Sequence, residues 1–203
     1  MGRRFFDPEG LLWKPLGYVG ELVALSLLWG LCSIPLVTIG PATAALYDCT
    51  VHNLRGKEAG LFSRFFETFR RELKVGCLTT LLWAVILAIP YALWRLLAPG
   101  FAGTAALNSL AIGALVLLFF VLAALVWVFP TLSRFTLGFT ALNRTAVQLA
   151  LGNILRSAAL ALLTGLGAAL CYLFTTPLIV VPGLVALLWS FLMEPVFRRY
   201  MTE

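Results

Sequence analysis

The chain has a single histidine, His52, and it lies four residues after Asp48 within an apolar segment. On a helix that spacing puts both side chains on one face. A carboxylate beside an imidazole is the minimal kit for a proton relay, because the imidazole titrates near neutral pH and the carboxylate orients it and stabilises its charged form. The same two residues near a helix end also make a plain hydrogen-bonded pair, and the sequence favours that reading. Elsewhere the chemistry is sparse. There is no Gly-rich phosphate loop, no HExxH and no GxSxG. Cys32, Cys49, Cys77 and Cys171 fall in or beside apolar runs without the close spacing of a metal or redox site, so they read as small hydrophobes. The residues therefore name no catalytic group, no metal ligand and no cofactor site, and the expectation is a protein that is not an enzyme.

The elements that must position Asp48 and His52 follow from composition. Hydrophobic residues make up 61% of the chain and charged residues 12%, against roughly 45–50% and 25% in soluble domains. That marks an integral membrane protein. The net charge of +6 belongs to Lys and Arg grouped at the ends of apolar runs, where insertion rules and anionic headgroups account for them. Nucleic acid is not an expected partner.

A membrane-crossing helix needs about 20 mostly apolar residues. Five runs meet or approach this, and the stretch SIPLVTIGPATAALY, Ser33–Tyr47, decides whether there is a sixth. Pro35 ends the outgoing helix there, and Gly40 and Pro41 occupy positions suited to starting a return helix. With that hairpin tip in place, Arg95 stands alone on one face and the other basic residues share the opposite face. The positive-inside rule then puts both termini in the cytoplasm. The expected fold is all-α, a polytopic membrane helix bundle in one domain, 1–203. Its six membrane helices, in three hairpins, run over about 17–35, 41–54, 75–97, 105–133, 157–176 and 178–197. The return helix is short for the hydrocarbon core, at about 20 Å for the 13 residues Pro41–Asn53, so it is expected to lean on other helices.

Amphipathic stretches precede the hairpins. In LFSRFFETFRRELK, Phe62, Phe65, Phe66 and Phe69 share one face while Arg64, Arg70, Arg71 and Lys74 take the others, which predicts an interfacial helix over 61–74 lying on the cytoplasmic membrane surface. A second is expected over 143–156, with Asn143 as its N-cap, and RRFFDPEGLLWKPL is a proline-broken third. The bilayer and its anionic headgroups are the expected partners of these stretches. Glu194 precedes Arg198 by four, the favourable order for a helical ion pair. Ala161, Gly165 and Ala169 form a small-residue ridge suited to helix packing, within the chain or between copies in a homo-oligomer.

The blocks LLWGLCSIPLVTIGPATAALY, FFETFRRELK and FPTLSRF followed by LNRTAVQLALGNILRS resemble the YesL-like family of bacterial membrane proteins, a domain of unknown function. The resemblance implies a small helical protein of the bacterial cytoplasmic membrane with no established activity. It also implies genes found near carbohydrate ABC importers, so importer permease subunits become candidate partners. Asp48 and His52 depart from the family's pattern at their positions. The resulting expectation is a non-enzymatic accessory or assembly partner of a membrane system such as carbohydrate uptake, with a small-solute transporter or channel as the alternative.

Overall fold

The computed structural model describes residues 13–56, 59–97, 105–135, 137–173 and 179–201, with side chains from 17 in the first helix, from 108 in the fourth and up to 197 in the last. Every element among these residues is helical. In order they are α1 (Trp13–Cys32), α2 (Ile39–Cys49), α3 (Leu61–Leu97), α4 (Ala105–Arg134), α5 (Phe139–Gly152), α6 (Ile154–Leu173) and α7 (Val181–Met201). A 3-10 turn, Leu36–Thr38, leads into α2, and a π-helical turn, Thr50–Arg55, leads out of it. Leu61–Leu97, Asn108–Arg134 and Ile154–Leu173 are long and apolar enough to cross a bilayer, and Gly17–Cys32 and Val181–Phe197 are shorter apolar helices. The chain is thus a helical membrane protein. The proline-broken stretch before Trp13 and the tips at 98–100 and Pro177 lie outside the described residues.

The chain reverses at Pro35, as its ring requires. Pro35 takes an extended conformation (φ −75°, ψ 113°). The Thr38 hydroxyl lies 2.6 Å from the carbonyl oxygens of both Cys32 and Pro35, and so closes the corner. Gly40 and Pro41 do not start α2 as expected. Thr38 is its N-cap residue, and Gly40 sits one residue inside the helix for a different reason. A Cβ on Gly40 would strike Thr80 Oγ1 and lie 2.5 Å from Phe129 Cε1 and 2.9 Å from the Gly76 carbonyl oxygen. Gly76 is matched to it, since a Cβ there would lie 2.8 Å from Pro41 Cδ. Two glycines and a flat proline ring let the α2, α3 and α4 backbones approach closely.

That approach explains how an 11-residue helix survives in a membrane protein. Along α2 the residues Gly40–Ala42 and Ala44–Cys49 are buried, so α2 meets helices on every side. Above and beside it one core cluster gathers Tyr47, Trp83, Trp127, Phe129, Met193 and Phe197, and a second joins Leu25, Ala45, Leu46, Cys49, Leu54 and Phe65. Phe197 receives three rings edge-on, Tyr47, Trp127 and Phe135, at centroid distances of 6.3, 5.9 and 5.8 Å, a favoured aromatic geometry. Outside this shell, exposed Leu, Ile, Val and Phe side chains cover α3, α4 and α6, as a lipid-facing surface requires.

Three expected boundaries are corrected. The interfacial segment 61–74 and the span 75–97 are one unbroken 37-residue helix, because nothing between Arg71 and Val75 breaks a helix and Gly76 serves helix contact. Within its first turns the phenylalanine face is divided: Phe65 is fully buried beside Leu25, Cys49 and Leu54, and Phe69 is half-buried, while Phe62 and Phe66 are exposed. Protein packing takes the first pair away from any membrane surface. Asn143 is not an N-cap. Gly138 holds that position for α5, and Asn143 lies inside the helix, where its Oδ1 accepts a 2.7 Å bond from Trp83 Nε1. α5 stops at Gly152, so Arg156 belongs to α6. The small-residue ridge on α6 is also redistributed. Gly165 faces open space, whereas Gly167 packs 3.0 Å from Val185 measured from an added Cβ.

If the α2–α3–α4 contact holds the bundle together, Gly40→Ala overpacks it, with an expected loss of about 1–3 kcal/mol. Gly165→Ala, made into open space, is expected to match or exceed the wild type. Thermal unfolding of the two variants in the same detergent checks this, and equal loss in both would refute it.

Candidate functional site, a polar pocket at the charged end of the bundle

Asp48 is the next-to-last residue of α2 and His52 lies in the π-helical turn that follows. A π turn widens the helix and changes the angle between successive side chains, and such turns recur at functional positions. Here His52 Nδ1 lies 3.1 Å from Asp48 Oδ1 and 3.1 Å from the Asp48 carbonyl oxygen. The expected pair therefore forms, and the fold adds partners to it. Arg64 Nε, from the first turn of α3, donates to Asp48 Oδ2 at 2.9 Å, and the Thr68 hydroxyl donates to the same oxygen at 3.0 Å. The Asp48 side chain is only 7% exposed. A buried carboxylate needs this kind of compensation, since an unpaired charge there is strongly disfavoured.

On the far side of the imidazole, Arg134 Nη1 lies 3.5 Å from His52 Nε2. A proton on Nδ1 can be donated to Asp48, which leaves the Nε2 lone pair facing the guanidinium. Arg134, the last residue of α4, also donates through Nη2 to Glu194 Oε1 of α7. The result is a charged relay from Arg64 through Asp48, His52 and Arg134 to Glu194, tying α3, α2, α4 and α7. Glu194 is thus bonded by a cation 60 residues away, where helical spacing had paired it with Arg198, whose side chain lies outside those described.

Of these groups Asp48, His52, Arg64, Thr68 and Arg134 border an open pocket of about 650 Å³, which is also lined by Ser63, Glu67, Arg71, Glu72, Ser133 and Phe135. Arg71 Nε donates to the largely buried Glu72 at 2.7 Å. Arg70, expected beside Arg71, is exposed on a different side of α3. Arg55 joins the same end, bonding the Ser190 carbonyl at 2.7 Å and stacking 4.6 Å over Phe191. The pocket offers paired guanidinium and carboxylate groups, three hydroxyls and an imidazole, so it can bind a polar ligand through several hydrogen bonds or move a proton between His52 and Asp48. Among the described residues no group of three or more His, Cys, Asp and Glu is placed to hold a metal ion. The four cysteines are free, with Cys49 buried and the others half-buried.

Of the residues singled out from sequence, the fold brings Asp48 and His52 into the pocket. It places Pro35, Gly40 and Pro41 at the opposite end of α2 and Phe62 and Phe66 on the outside of α3. Sequence reasoning missed Arg64, Thr68 and Arg134 as partners of the pair. Arg64, Thr68 and Arg71 did carry a signal, lying at spacings of four and three on the helical side away from Phe62 and Phe66. Arg134 carried none beyond ending the longest apolar run.

A helical membrane protein with a charged pocket at one end is the class this geometry defines. The sequence profile of the family described as "Protein of unknown function, DUF624" matches residues 22–92. That is the YesL-like family of bacterial membrane proteins, so the resemblance is shown over this segment. The matched stretch runs from within α1 into α3 and holds Asp48, His52, Arg64, Thr68, Arg71 and Glu72, while Arg134 and Glu194 lie beyond it. The resemblance noted at FPTLSRF and after it is outside the match. No curated protein and no solved structure matches the chain.

Glu194 is buried and its partner Arg134 half-buried, at 7% and 12% side-chain exposure, and the pair gives the site's sharpest stability test. Glu194→Ala leaves the guanidinium without its carboxylate partner, with only His52 Nε2 facing it, a change expected to cost about 3 kcal/mol. Replacing both together, as Arg134→Met with Glu194→Leu, is expected to recover most of that loss. A double-mutant cycle read by denaturant unfolding in detergent measures it, and additive losses would show that the pair is not coupled.

Proposed function

We propose that this chain is a non-enzymatic accessory or assembly partner in the bacterial cytoplasmic membrane, acting with another membrane system. The supporting observation is the position of the charged cluster. It sits at the end of the bundle where α3 begins and α4 finishes, open to the outside, with Tyr47, Trp127, Leu132 and Phe197 packed at under 2% exposure behind it. A site of that form is reachable by a partner from one side. Carbohydrate uptake as the system, and importer permease subunits as the partners, rest on the family's gene neighbourhood, which is an association.

The topology that goes with this reading has six membrane helices, α1, α2 with its π turn, α3, α4, α6 and α7, and both termini in the cytoplasm. The positive-inside rule supports it, since Arg55, Arg64, Arg70, Arg71, Lys74 and Arg134 gather at one end of their helices and Arg95 at the other end of α3. Single cysteines in a Cys-free background are expected to label from outside at Thr38 and Ile179 and from inside at Gly60 and Leu137. Labelling of Thr38 and Gly60 from the same side would overturn the orientation.

One observation favours the second reading, a small-solute transporter. The pocket reaches the Asp48–His52 pair, the position a proton-coupled mechanism would use. The two readings separate in one preparation. The accessory reading expects permease subunits to copurify with the tagged protein from native membranes. It also expects proteoliposomes of the pure protein, loaded with a pH dye and offered mono- and disaccharides, to take up protons no faster than empty vesicles. Proton uptake that Asp48→Asn with His52→Gln abolishes, with the protein still folded, would establish the transporter instead.

A further inference from the structure

α1 and α7 are pinned together at one level, and beside that contact a groove opens between them. At the pinned level the Gly183 amide donates to the Ser26 hydroxyl at 3.0 Å. A Cβ on Gly183 would lie 2.5 Å from Leu22 Cδ2 and 2.9 Å from the Leu22 carbonyl oxygen. One turn towards the charged end come Leu22 and Leu187, and a turn further Tyr18 and Phe191. These four side chains line a groove of about 400 Å³, with Leu54 and Arg55 of the π turn as the rest of its lining. Tyr18 and Phe191 are exposed, as are Val19 and Leu188 beside the lining residues in the chain.

Among the lining residues only Arg55 carries a charge. Its Nη1 donates to the Ser190 carbonyl at 2.7 Å, and its guanidinium carbon lies 4.6 Å from the centre of the Phe191 ring. The bond and the stack fix the guanidinium and leave Nε and Nη2 to other acceptors. Neither a carbonyl nor a ring neutralises a full positive charge. The three guanidiniums at the polar pocket are each matched by a carboxylate, Arg64 by Asp48, Arg71 by Glu72 and Arg134 by Glu194. Arg55 has no such match among the described residues, and Glu21, the nearest carboxylate to Tyr18 and Leu22 along α1, does not line the groove. The groove therefore presents a fixed cation at one end and apolar walls leading away from it.

We propose that this groove binds one anionic phospholipid, with its phosphate on Arg55 and an acyl chain running over Leu22 and Leu187 towards the Gly183 contact. Charge and shape select this occupant together. The phosphate accepts from the planar guanidinium fork, and the Tyr18 hydroxyl brings a second donor to the same end. The pairs Tyr18–Phe191 and Leu22–Leu187 are four residues apart, about 6 Å along each helix, so the apolar walls continue away from the charge as a hydrocarbon chain does. A free phosphate would leave those walls uncovered, and a neutral lipid would leave Arg55 without a counter-charge. Basic pockets between membrane helices hold anionic headgroups by this means. Such a site is distinct from the general attraction of headgroups to the basic stretch 61–74, because it needs one arginine and one groove. It goes beyond both functional readings and depends on neither.

Native mass spectrometry of the full-length protein tests this, after delipidation in detergent and addition of dioleoyl phosphatidylglycerol or dioleoyl phosphatidylcholine. The expected result is one retained phosphatidylglycerol, held about fivefold more tightly than phosphatidylcholine with the same chains. Arg55→Gln is expected to erase that preference and Arg55→Lys, which keeps the charge, to retain part of it. Arg70→Gln, at an exposed position outside the groove, is expected to leave it unchanged. Leu187→Trp fills the groove with Arg55 still in place and is expected to lose the retained lipid, which keeps the test decisive should Arg55→Gln fail to fold. Equal retention of the two lipids, or a preference that survives Arg55→Gln or Leu187→Trp, would overturn the proposal. An equal loss in Arg70→Gln would also overturn it, by showing diffuse headgroup attraction only. So would displacement of the retained lipid by equimolar inorganic phosphate, which would make the groove a phosphate site.

Discussion

The rest of the structure depends on enclosing a helix that is too short to face lipid. At 11 residues α2 rises about 16 Å, half of what a hydrocarbon core demands. The backbone groups at its ends can be satisfied only by protein or by water at the membrane edge. The chain meets this by surrounding α2 and by removing side chains where helices must come closest. Gly40 on Gly76 with Pro41 beside them brings the α2 and α3 backbones together and seats the Phe129 ring of α4 against them, and Ala42, Ala44 and Ala45 continue the small surface downward. Van der Waals packing at that distance takes the place of the hydrophobic driving force, which is absent between helices in lipid.

Enclosure of α2 also creates the site. Because the helix is buried along its length, its last polar residues emerge inside the bundle, and Asp48 carries a charge at a place where charge is costly. The local answer is a set of donors from neighbouring helices, Arg64 and Thr68 from α3 and, through His52, Arg134 from α4. Each donor brought in has its own helix end to anchor, so the network extends to Glu194 on α7. The pocket is the opening left where the end of α2 with its π turn, the start of α3 and the end of α4 converge on these groups. Its charges compensate the burial of Asp48 before they serve any ligand.

Asymmetry between the two ends follows from the same helices. One side of the first turns of α3 lines the pocket together with the end of α4, while the other side carries the exposed Phe62 and Phe66.

The all-helical class, its apolar membrane character and the Asp48–His52 contact were legible in the sequence, because apolar runs and a helical spacing of four are local properties. Pro35 marks the turn between α1 and α2 by its own ring geometry. Gly40 and Phe65 show where local reading ends. A glycine near a helix start has the same letter whether it caps a turn or admits another backbone, and a phenylalanine in an amphipathic stripe looks the same whether lipid or Leu54 covers it. Likewise, Glu194 has a well-spaced neighbour in Arg198, yet the cation that bonds it comes from 60 residues earlier. Only the tertiary structure decided these, because burial and charge pairing are set by which helices pack together, and that packing follows from shape at the α2–α3–α4 contact, which no single helix carries in its own sequence.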